Sequence, residues 1–74
     1  MNIEDKVLEI MRQVFEVDEI DSTASQKNCD RWDSLHHLML ASELEDAFDV
    51  DLEPEEIGGM TDFKRVIDLL ESKI

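Results

Sequence analysis

The chain has 74 residues, with 20 acids against 7 bases for a formal net charge of −13, and a single cysteine. A chain this short buries only about 60% of the surface its unfolded form exposes, which leaves room for one domain with a modest core and disfavours a roomy enzyme active site. The acidity repels nucleic acid and anionic membranes and favours basic protein surfaces, and one cysteine cannot close an internal disulfide.

Three Phe, one Trp and four Met point to an aliphatic, adaptable interior. No apolar run is long enough to span a membrane or to read as a secretory signal, so a cytoplasmic protein, monomeric and without membrane insertion, is expected.

Asn2 can cap a first helix with Asp5 near its positive end, and Ile3, Val7, Ile10, Met11 and Val14 then recur at helical spacing. Leu8 and Phe15 widen that stripe. From Asp18 to Asp30 the periodicity fails while Ser, Thr, Asn and Asp accumulate, which predicts a long ordered loop pinned to the core by Ile20. Cys29, at its end, reads as a small half-buried thiol.

A second helix is expected from Asp33 or Ser34 to about Phe48 or Asp49. Pro54 can then open one short helical turn that Gly58 and Gly59 end. Thr61 or Asp62 can cap a last helix carried by Phe63, Val66, Ile67 and Leu70. With no strand or repeat visible, the predicted fold is all-α: a small four-helix bundle of three main helices and one short one, with a long loop between the first two.

The second helix is unusual. At roughly 100° per residue, Leu40, Ala41, Leu44, Ala47 and Phe48 share one broad core face. Leu35, Leu38 and Met39 gather on the opposite side, beside Ser34, where a bundle helix should be polar. An apolar patch in that position marks a contact surface. His37 falls on the core side and should be partly buried at the bundle edge, whereas His36 should point elsewhere and be exposed.

Two other chemistries fit the residues poorly. Asp33, Ser34 and His37 lie at spacings that could join serine to histidine, but a hydrolase also needs an oxyanion hole and a substrate cleft. Cys29, His36 and His37 make a poor metal site, because adjacent histidines on a helix diverge and no fourth ligand is evident. The stretch from Asp49 begins like a calcium loop, then puts Pro54 at the required glycine and Met60 at the closing glutamate.

The run Asp33-Ser34-Leu35, continued by Leu40, Leu44, Glu45, Phe48, Leu52, Met60-Thr61, Ile67 and Leu70, resembles the acyl carrier proteins over essentially the whole chain. The resemblance implies a single stand-alone carrier domain over residues 1–74, not an enzyme, with phosphopantetheine covalently attached to Ser34. It implies that Asp33 helps dock the phosphopantetheinyl transferase. Leu35, Leu38 and Met39 would meet partner enzymes, with Glu45 and Asp46 keeping the far end of that face negative. The implied partners are acyl-loading, synthase or acyltransferase enzymes with basic docking surfaces, serving fatty acid, polyketide or a related specialised lipid or polysaccharide synthesis. Arg31-Trp32 before the motif, and His36, His37 and Met39 after it, depart from the common family pattern. The competing reading is a non-enzymatic acidic helical interaction module in which Ser34 is only a helix cap.

Overall fold

Each of the three main helices starts at a side chain able to take the place of a missing backbone partner. In the computed structural model, which describes residues 2–74, helix α1 runs Ile3–Phe15, α2 Ser34–Phe48, α3 Pro54–Gly59 and α4 Phe63–Lys73. Asn2 accepts the Asp5 N–H at 2.8 Å, Asp33 that of His36 at 2.9 Å, and Asp62 that of Arg65 at 2.8 Å. Such bonds satisfy donors that the first turn of a helix leaves orphaned. Helices α1 and α2 end in left-handed residues, Glu16 at φ 56° and Asp49 at φ 54°, whose N–H groups return to Arg12 and Glu45 carbonyls. Both ends use the left-handed closing motif without the usual glycine.

Among the described residues there is no strand, only one isolated antiparallel bridge between Ser25 and Asp62. The core takes Val7, Met11, Val14 and Phe15 from α1, Leu40, Ala41 and Leu44 from α2, and Phe63, Val66, Ile67 and Leu70 from α4. Leu52 and Met60 close it on either side of α3, which itself buries no residue. Ala47 and Phe48, expected on the core face, are only half-buried. Lys6 covers them, its Nζ 3.3 Å from the Ala47 carbonyl and 5.2 Å from the Phe48 ring centre. No described helix is long and apolar enough to cross a membrane.

Ile20 does pack against the core, as expected, but it is not the loop's main anchor. Ile20 is half-buried, whereas Ala24 and Trp32 are buried within the core. Main-chain bonds then stitch the loop to the start of α4: Gln26 N–H to Thr61 carbonyl at 3.0 Å, and Phe63 N–H to Ala24 carbonyl at 2.9 Å. A small alanine allows that close backbone approach. Trp32 adds the larger buried area, and its ring packs at a tilt against Phe15 with ring centres 5.3 Å apart.

Candidate functional site

Ser34 is the first residue of α2 and is exposed. It does not cap the helix: Asp33 does, and a carboxylate is well suited to accept the orphaned N–H at a helix's positive end. This frees the Ser34 hydroxyl from the role that the competing reading gave it. Trp32, two residues earlier, is buried, so the chain leaves the core at Trp32 and presents Ser34 at the surface within two residues.

The carboxylate of Asp33 also receives the His36 imidazole at 2.8 Å. The His36 backbone N–H, then its ring, hold the Asp33 carboxyl below its ordinary value. A depressed folded-state pKa adds stability that is present above the unfolded value and lost as pH falls through the folded one. Asp33→Ala should therefore melt below the wild type at pH 7, and the gap should close as the pH falls below the ordinary aspartate value of about 3.9. Melting curves of the two proteins between pH 7 and 3 check this; a gap that stays constant means that the charge of Asp33 is not what holds the cap.

His36 is not exposed as expected. Its side chain is 15% accessible, because the bond to Asp33 swings the ring inward against the edge of Phe15, with ring centres 6.3 Å apart. His37 is more deeply buried than a bundle-edge position implies, at 8% exposure. Its Nδ1 lies 2.9 Å from the Trp32 indole nitrogen and its Nε2 2.6 Å from the Ile57 carbonyl. Both ring nitrogens are engaged away from Ser34, which removes His37 as a base for a Ser34 nucleophile. The two histidine rings diverge, and no described group of three or more candidate ligands could hold a metal ion.

On the open side of α2, Leu35 is 65% exposed, Leu38 61% and Met39 45%. These are three of the four large exposed hydrophobic side chains of the described chain, and they form a patch next to Ser34. Asp46 is exposed further along the helix. Glu45 is half-buried and spends one oxygen on the Leu52 N–H at 2.9 Å, ordering the chain after α2. Its charge serves the fold as well as the surface. Neither this bond nor the Trp32–His37–Ile57 arrangement had a signal in the sequence, since each joins residues from separate segments.

The site fits a phosphodiester-linked arm. The serine oxygen is accessible at the positive end of a fifteen-residue helix, where an added phosphate is favoured, and the first turn carries no acid beyond the cap.

Comparison with protein-family models and with curated proteins finds no match. Among solved structures, the chain is similar to a holo acyl carrier protein from Geobacter metallireducens whose structure was determined in solution by NMR. The two superpose with a TM-score of 0.87 at 32% identity, over 99% of this chain and 86% of the other. A match of that identity, across nearly the full length of both chains and with the same helical architecture, shows that this chain belongs to the acyl carrier protein family.

Proposed function

We propose that residues 1–74 act as a single acyl carrier domain that bears a phosphopantetheine arm on Ser34 and delivers acyl groups to partner enzymes. The observation that carries this reading is the exposed Ser34 hydroxyl at the start of α2, released from capping by Asp33, in a chain of this family. When attached, the arm supplies a terminal thiol that holds an acyl group as a thioester. The chain's own residues do the rest. Ser34 offers the attachment oxygen, a weak nucleophile that the phosphopantetheinyl transferase must activate. Asp33 holds the first turn of α2 in place and presents a charge to that enzyme. Leu35, Leu38 and Met39 give partners an apolar surface to bury, and Asp46, with the exposed part of Glu45, draws in basic docking surfaces.

The exposed apolar patch, with Arg31, Trp32, His36, His37 and Met39 departing from the common family pattern around Ser34, favours a set of acyl-loading, synthase or acyltransferase enzymes dedicated to one pathway, whether for fatty acid, polyketide or a related lipid or polysaccharide. Coexpression with a phosphopantetheinyl transferase, followed by intact-mass measurement, tests the reading. The wild type should gain one arm and Ser34→Ala none, while circular dichroism shows both folded. A mass gain on folded Ser34→Ala moves the site to Ser22, Ser25, Ser42 or Ser72. No gain on the wild type returns the chain to a purely protein-binding module.

A further inference from the structure

Helix α3 is held to the rest of the molecule in an uncommon way. It buries no side chain; Ile57 is only half-buried against the core. Two polar ties hold it. Lys73 of α4 reaches the Glu56 carboxylate at 2.9 Å, and His37 of α2 reaches the Ile57 carbonyl at 2.6 Å.

The His37 tie has only one chemically consistent form. The Trp32 indole nitrogen, at 2.9 Å from Nδ1, can only donate, and the Gln26 amide nitrogen approaches the same atom at 3.4 Å. Nδ1 must therefore accept. The Ile57 carbonyl can only accept, so Nε2 must carry the proton. The ring is a neutral Nε2–H imidazole, stacked on Trp32 with centres 6.2 Å apart, and it bridges the loop before Ser34 to α3.

We infer that His37 is a positioning residue: through the chain Trp32 N–H to Nδ1 and Nε2–H to Ile57 carbonyl, it fixes α3 beside the Ser34 end of α2 in the arrangement that the phosphopantetheinyl transferase binds. His37 is one turn from Ser34, and its bond to the Ile57 carbonyl brings the α3 backbone against that part of α2. A partner protein covers about 800 Å² on each side of a standard interface. The whole chain exposes 4805 Å², so an enzyme centred on Ser34 spreads over about a sixth of it and reaches the surface that α3 forms. Where a surface is in its binding arrangement for only a fraction of the time, apparent affinity falls by that fraction. Releasing α3 so that it occupies its place about one tenth of the time raises the KM for this protein about tenfold.

The kinetic arm of the test rests on the function proposed above; the spectroscopic arm does not. On the unmodified wild type at neutral pH, long-range proton–nitrogen correlation should show His37 protonated at Nε2 only, with an indole proton on Trp32 that exchanges slowly. A proton on Nδ1, or a mixture of tautomers, overturns the inference. His37→Leu keeps an apolar filling but loses both bonds, whereas His37→Gln can accept from Trp32 and donate to Ile57. Amide exchange at Ile57, Gly58 and Gly59 should quicken in His37→Leu and recover in His37→Gln. With the transferase and coenzyme A, His37→Leu should raise KM about tenfold with kcat little changed, and His37→Gln should restore most of it.

A folded His37→Leu protein with wild-type KM and wild-type amide exchange overturns the proposal, as does equal impairment of the Leu and Gln variants. Should His37→Leu fail to fold, Trp32→Phe, which removes the indole donor at Nδ1 along with part of a buried ring, takes its place with a smaller rise in KM expected and no rise counting against the proposal. A wild type that accepts no arm sinks the carrier reading alone, and tautomer and exchange then decide the role of His37.

Discussion

Leu44→Ala is expected to cost about 2–5 kcal/mol of stability, while Leu38→Ala, six residues away on the same helix, leaves unfolding nearly unchanged. Leu44 is fully buried between α2 and the rest of the core, so its truncation leaves a cavity that the neighbouring side chains fill only in part. Small domains have stabilities near the low end of about 5–15 kcal/mol, so a loss of that size removes much of the folded population's margin. Leu38 is 61% exposed and makes little of the core. On the proposed docking role its contribution comes when a partner covers it, since full burial of a leucine side chain yields about 1.5–3 kcal/mol. Leu38→Ala should therefore slow arm transfer or acyl loading with almost no thermal effect. Urea denaturation of both variants reads the first difference as a shift in midpoint at constant slope. If Leu38→Ala unfolds as early as Leu44→Ala, the patch belongs to the core and the docking role falls.

Phe15→Ala should be at least as damaging, at about 3–5 kcal/mol. The ring is fully buried at the end of α1 and meets two others, Trp32 at 5.3 Å and His36 at 6.3 Å. Removing it deletes core volume and also the surface on which Trp32 rests, so the segment leading into Ser34 loses its main support. The comparison to make is with Ile20→Ala, because Ile20 is the loop's own aliphatic residue and is only half-buried. The fluorescence of Trp32, the chain's single tryptophan, should shift to the red in folded Phe15→Ala and stay in place in Ile20→Ala. Equal losses of stability in the two variants will show that Ile20 secures the loop as much as the aromatic pair does.

The resemblance read from Asp33-Ser34-Leu35 and the apolar positions after it is upheld by a solved relative that covers nearly the whole chain. The proposal of Ser34 as the attachment point comes from that motif; what the structure adds is its exposure and the division of labour with Asp33. The Leu35, Leu38 and Met39 patch was legible for a simpler reason, since a helix with two apolar sides has one more than a bundle of this size can cover.

The boundary between what the sequence alone determined and what needed the fold follows the range of the interactions. Asn2, Asp33 and Asp62 each bond three residues ahead, and the stripes of α1 and α4 repeat every three or four. Such features are contained in a few consecutive residues, so helix starts, core faces and the all-α class could be read directly. The burial of Trp32 and Ala24, the inward turn of His36 onto Phe15 and the use of Glu45 to hold Leu52 could not. Nor could the hold of His37 on Ile57, twenty residues away, or of Lys73 on Glu56. A histidine carries two nitrogens, each able to donate or accept, and a lysine reaches any nearby carboxylate. Which partner each takes depends on which groups close packing leaves within about 3 Å once the helices have come together, and that distance is a property of the folded chain.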